Sequence, residues 1–342
     1  MNNKKKLIYW TGGLLLLLLI SIVITSMIGS VKVPINTVVK ILLNNIPFVD
    51  IERTWGIGEE AIINNLRIPR IFLAIVVGAM LSLSGVAYQG ILHNPLADPY
   101  ILGVSSGAAL GAAGSMLFLN GKIGYFTVPL FALLGALFAL GFVMILANVK
   151  NQRGNHTLIL AGVIMQSLSG AILMFLITIS GDLMESIIFW MMGSLANKDW
   201  LDVYVLSPIL LLGMIYLFTQ SRELNIMALG ERAATHLGMN VERKKITILV
   251  VASFLAAGAV SFVGIIGFVG LVIPHLIRLF TGSDHRILLP VATIAGAIFL
   301  LWTDTLARTV LPSREIPIGV LTALIGAPVF AYFLRQSLRG KN

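Results

Sequence analysis

The residues able to do chemistry are few, and they lie at the edges of apolar runs. Five histidines are present, His93, His156, His236, His275 and His285, and none falls in an H-E-x-x-H or comparable metal-ligand spacing. There is no G-x-S-x-G elbow and no Walker A sequence, so the chain carries no ATP-hydrolysing site of its own. With no cysteine, disulfides, thiolate metal sites and thiol redox chemistry are excluded. Asp304 and Arg308 stand four residues apart near the end of an apolar run, a spacing that pairs them along one helical face. In GVSSGAALG, Gly103, Gly107 and Gly111 repeat at spacing four. They read as a helix-packing face, because a phosphate loop needs a preceding strand and none is predicted.

The most informative stretch is a polar island, QSRELNIMALGERAATHLGMNVERKK at 220–245, flanked by apolar spans. Its pattern predicts two short helices, 224–229 and 232–237, separated by Gly230. Leu224, Ile226, Met227, Leu229, Leu237 and Met239 sit among charges there, giving an amphipathic knob suited to a groove on a partner. We read the island as the docking surface for a soluble motor.

Composition dictates what surrounds it. Hydrophobic residues make up 57 %, charged residues 11 %, and the mean hydropathy is +0.94, too apolar for a soluble domain. The fold class is all-α: a polytopic membrane protein forming one transmembrane domain over 1–342, with ten transmembrane helices and both termini cytoplasmic. Spans are expected at 7–28, 71–92, 100–119, 123–149, 157–180, 203–218, 287–302 and 316–334. Two further short spans share 246–280, with a reversal among Gly258, Gly264, Gly267 and Gly270. The first span follows Lys4 to Lys6; it is long for a signal peptide and no cleavage site follows, so it is expected to be retained. Residues 29–70 read as a polar stretch, 93–99 as a proline-broken link, and 186–192 as an interfacial or re-entrant helix.

Charge supports this topology. The segments placed inside hold 15 of the 24 basic residues but only 5 of the 15 acidic ones. That asymmetry accounts for the basic balance without nucleic-acid binding. Ion coupling would call for charges deep within spans. The spans are nearly free of them, so an ion-coupled secondary transporter is the weaker reading, as is a receptor or scaffold without transport. The pattern left is a gated pore driven from outside the chain.

Several long motifs then match a known family. LRIPR at 66–70, SGVAYQGILHNPLADPYILGVSSGAALG at 84–111, LAGV at 160–163, GFVGLVIPHLIRLFTGSDHRILLP at 267–290 and EIPIGVLTALIGAPVF at 315–330 resemble the membrane permeases of ABC importers for ferric siderophores, haem and vitamin B12. The resemblance is collinear and covers nearly the whole chain. It implies ten spans, a homodimer or a heterodimer with a related permease, two cytoplasmic ATP-binding subunits and an extracytoplasmic substrate-binding protein. The setting implied is the bacterial cytoplasmic membrane, in contact with membrane lipid. No cofactor is expected on this chain, with ATP and magnesium on the partner ATPase, and the expected cargo is an iron–siderophore complex.

Site residues carry over by position. The resemblance implies that Arg67, Arg70 and Arg308 dock the binding protein, a task for which arginine suits bidentate pairing with carboxylates. It assigns ATPase coupling to Leu224, Asn225, Met227, Ala228, Leu229, Gly230, Arg232, Ala233, His236, Leu237 and Gly238. Asn94 and Leu96 match the inner gate region. Asn155 and His156 stand where the vitamin B12 permease has small hydroxyl residues, a departure from that pattern.

Overall fold

Apolar helices form here because a chain in hydrocarbon must satisfy each backbone N–H and C=O internally. A computed structural model describes residues 3–29, 31, 33–46, 49–119, 122, 124–147, 155–311 and 314–339. Lys150, Arg153 and Lys341, counted among the inner charges, lie outside the described residues, as do the side chains of Asn155 and Arg339. The described residues contain helices and no strand.

In chain order the helices are α1 (Asn3–Met27), α2 (Ile35–Asn44), α3 (Ile57–Leu92), α4 (Val104–Phe118), α5 (Thr127–Ala147), α6 (Asn155–Ile179), α7 (Met184–Met191) and α8 (Trp200–Thr219). There follow α9 (Ser221–Met227), α10 (Glu231–His236), α11 (Val241–Val263), α12 (Val269–Thr281), α13 (His285–Ala307) and α14 (Ile318–Arg339). Among the described residues seven helices are long and apolar enough to cross a bilayer, namely α1, α3, α5, α6, α8, α11 and α13. The apolar α4 and α12 are shorter, at 15 and 13 residues.

The central element is α3, against which α13, α11, α12 and α8 pack. Close approach comes from small residues: a Cβ on Gly78 would collide with the carbonyl of Gly296, and one on Gly85 with that of Gly270. Gly107 and Gly111 press in the same way on the backbone of α5 at Gly135 and Phe131, so the glycine repeat does serve packing.

Two boundaries differ from the sequence expectation. The helix expected from residue 71 begins at Ile57, and LRIPR lies inside it. Pro69 has no N–H to give. The turns over Ile62–Arg67 widen to a π-helical pitch, with Ile68 N bonding Ile63 O, and the Asn64 carbonyl accepts the Trp200 indole N–H at 3.3 Å. The run 246–280 does hold two helices with a break among the expected glycines, but they are unequal. They are the full-length α11 and the half-length α12, joined by non-helical backbone at 264–268 with positive φ at Gly264 and Phe268. Gly264 (φ 75°) ends α11, and a Cβ there would meet the Trp190 carbonyl. The bare carbonyls find protein partners: Ser194 N–H donates to Val263 O at 2.8 Å and Tyr100 O–H to Ile266 O at 2.9 Å. The helix expected at 186–192 is α7.

Candidate coupling and docking sites

The polar island folds as two short helices, α9 and α10, broken at Gly230, whose φ of 102° suits glycine. Their apolar residues divide. Leu224 and Met227 are fully buried against the bundle, whereas Leu229 is 69 % and Leu237 65 % exposed. Ala228, Arg232, His236 and Gly238 are exposed beside them, Ala233 is half-buried, and Ala234 is buried. The accessible ridge therefore runs from Ala228 to Gly238, and Leu224 and Met227 anchor it from beneath.

Three helices hold this knob. Asn225 donates from Nδ2 to Asp284 Oδ1 at 2.7 Å, while its Oδ1 accepts the backbone N–H of His285 at 2.9 Å and lies 2.8 Å from His285 Nδ1. This fixes α9 to the first turn of α13. His93, the left-handed cap of α3, places Nε2 2.6 Å from the Met227 carbonyl. From α11, Lys244 reaches Gln220 at 2.7 Å and Glu223 at 3.2 Å, and Lys245 reaches Glu231 at 2.9 Å. Asp284, His285 and His93 were not among the sequence-derived coupling residues. Only their position at helix ends hinted at them.

The opposite end of the bundle gathers the arginines. Arg67 is buried, its guanidinium spent on the carbonyls of Ser26 (2.6 Å) and Val31 at the end of α1. Arg70 holds two carboxylates. Its Nε lies 3.0 Å from both Asp304 oxygens and its Nη2 2.8 Å from Oδ1, and Nη1 and Nη2 donate to Glu315 at 2.9 and 3.0 Å. Arg308 bonds the Thr25 carbonyl at 2.8 Å and lies 3.9 Å from Asp304, the expected i,i+4 pair. The three arginines thus share one end of the bundle, but they are engaged internally rather than projecting freely. They line a cavity of about 600 Å³ together with Lys198, Arg314 and Glu315. Lys198 pairs with Asp202 at 3.6 Å, and burial lowers its pKa against the pull of that carboxylate.

The gate candidates are spread more widely. Asn94 caps its own link through Oδ1 and Leu96 N at 2.9 Å, Leu96 is exposed, and His156 is exposed near the start of α6. Among the described residues no hydrogen bond joins these positions. In the same link Asp98 accepts Tyr100 N–H at 2.8 Å, and burial pushes its carboxyl up to about 6.

An all-helical, multi-pass membrane protein with a bolted polar knob at one end and a cationic cavity at the other has the parts of a transport permease. The chain belongs to the FecCD transport family, whose model matches residues 16–336. It is 43 % identical over 284 residues to the cobalamin import system permease BtuC of Halobacterium salinarum, covering 82 % of this chain and 76 % of that one. It is 42 % identical over 277 residues to the hemin transport system permease HmuU of Yersinia pestis, covering 80 % and 83 %. A solved transporter described as metal-chelate type ABC, in an inward-facing conformation, superposes with a TM-score of 0.82 at 34 % identity, covering 95 % of this chain and 98 % of that one. The chain is accordingly a transport permease of the ABC importer class.

Proposed function

We propose that the chain is the membrane half of a bacterial importer in the cytoplasmic membrane. It crosses ten times with both termini inside, pairs with a second permease, and is driven by two ATP-hydrolysing subunits docked on 220–245. The observation that carries this reading is the attachment of the knob. An ATPase gripping the exposed ridge from Ala228 to Gly238 would pull on α13 through Asn225, Asp284 and His285, and on α3 through His93. Because α3 and α13 are packed along their lengths, displacement at this end is passed to the arginine end, where an extracytoplasmic binding protein docks over Arg70 and Arg308, with Arg67 holding α1 beneath them. Asn94 and Leu96, with Asn155 and His156, form the inner gate. The buried charges Arg67, Asp304 and Lys245 are each satisfied by protein groups, Arg67 by the Ser26 and Val31 carbonyls, Asp304 by Arg70 and Lys245 by Glu231, which favours an external motor over ion coupling.

The cargo is a bulky metal chelate: an iron–siderophore complex, haem or cobalamin. The relatives named for cobalamin and hemin, and the neighbour described as metal-chelate type, support that class. Proteoliposomes containing the permease, its ATPase and its binding protein should take up such a chelate only with ATP. Undiminished uptake without the ATPase would defeat the proposal, and a panel of ferric siderophores, haem and cobalamin assigns the cargo.

A further inference from the structure

The cationic cavity holds one carboxylate that is poorly placed to stay. Arg70 grips Asp304 and Glu315 together, but their settings differ: the Asp304 side chain is 1 % exposed and the Glu315 side chain 45 %. Asp304 is a fixed partner, shared with Arg308. Glu315 sits on the segment leading into α14 and meets Arg70 edge to edge, Nη1 to Oε1 at 2.9 Å and Nη2 to Oε2 at 3.0 Å. This bidentate geometry is the one any incoming carboxylate would adopt.

Two further observations show that the cavity is under-supplied with negative charge. Arg67, Arg70, Lys198, Arg308 and Arg314 line it with Glu315 as the lining carboxylate among the described residues, and the two carboxylates behind the wall, Asp304 on Arg70 and Arg308 and Asp202 on Lys198, still leave positive charge in excess. Arg308 Nε is buried there without a hydrogen-bond acceptor, and a buried donor left unmade is costly. An acidic side chain entering the cavity would supply an acceptor and replace Glu315 at no loss to Arg70.

We propose that Glu315 is a built-in placeholder, occupying the carboxylate position on Arg70 until an acidic side chain of the docking binding protein displaces it. The inference rests on the importer reading and adds the regulation of its docking face. The released Glu315 can turn to solvent or to Arg314. The placeholder keeps Arg70 paired while the permease stands alone and makes docking an exchange of one ion pair for another. Such an exchange costs affinity, since the binding protein meets only the fraction of permease whose position is free. The apparent affinity falls by the reciprocal of that fraction, so a free fraction of about one fifth would lower it about fivefold.

The test is the affinity of the binding protein that supports uptake through this permease, measured on nucleotide-free permease in nanodiscs. Glu315→Gln should tighten binding about fivefold, and Glu315→Asp, which keeps the charge on a shorter arm, should give a smaller gain. Glu52→Gln removes the same charge from the polar stretch 49–56, away from the cavity, and should leave affinity unchanged. Melting curves establish that each variant is folded; if Glu315→Gln is not, the Glu315→Asp result stands alone. Binding to wild type that Glu315→Gln leaves unchanged or weakens overturns the placeholder, as does an equal gain from Glu52→Gln. No binding to wild type at all overturns the importer reading instead. Glutarate binding alone as tightly as the protein would mark a small-molecule site and overturn the docking assignment.

Discussion

Asn225 and Asp284, 59 positions apart in the chain, meet at 2.7 Å between the first short helix of the polar knob and the first turn of α13. Asn225 uses both ends of its amide, donating to the aspartate and accepting from His285. Knob and transmembrane helix are therefore tied through both ends of one amide.

Cutting that tie should uncouple the importer. Asn225→Ala leaves the Asp284 and His285 groups short of partners, at a cost of about 1–2 kcal/mol. ATP-driven uptake in proteoliposomes should fall at least about tenfold while ATP hydrolysis by the assembled complex persists. An equal fall in both would show loss of assembly rather than of coupling.

The buried and exposed leucines of the knob should behave as opposites. Leu224→Ala empties a packed site and should lower stability by about 2–5 kcal/mol. Leu229→Asp and Leu237→Asp lie on the open ridge; they should leave the melting temperature of the detergent-solubilised permease unchanged and abolish co-purification of the ATPase.

Much of this organisation is legible in the sequence, and the rest fails for identifiable reasons. Hydropathy and charge reveal the membrane helices and the island, because bilayer burial imposes a long continuous signal. The start of α3 is hidden because Pro69 reads as a boundary, whereas a widened turn absorbs it within the helix. The break between α11 and α12 is expected among four glycines, but which one takes it depends on Gly264 lying against the Trp190 carbonyl, a tertiary fact. The knob shows its apolar residues but not their sides; Leu224 faces inward only because α9 docks on α3 and α13. Arg70, Asp304 and Glu315 are 234 and 245 positions apart, and no local pattern joins them.

Arg67 should act through α1. Arg67→Met removes the donors that close the end of α1 onto α3, so thermal stability should drop clearly. Arg70→Lys loses bidentate geometry and should weaken binding-protein docking about tenfold with a smaller change in melting. A reversal of these two patterns would exchange the roles.

Asp98 makes stability pH-dependent with a defined sign. Its carboxyl is held by burial at about 6, above the ordinary aspartate value of 3.8, so the folded state binds the proton more tightly. Stability from this group is complete below about pH 4 and is lost as pH rises through about 6. Asp98→Asn keeps an acceptor for Tyr100 N–H and removes the charge. Its melting temperature should exceed that of wild type at pH 7.5 and match it near pH 4; a lower value at both would assign the carboxylate a stabilising role.

The absence of cysteine permits the most direct test of the motor's docking site. With Leu229→Cys as the sole thiol, a membrane-impermeant maleimide should label it only from the cytoplasmic face of vesicles, and added ATPase should block the reaction. Labelling from the opposite face, or labelling that the ATPase leaves unchanged, would contradict the account.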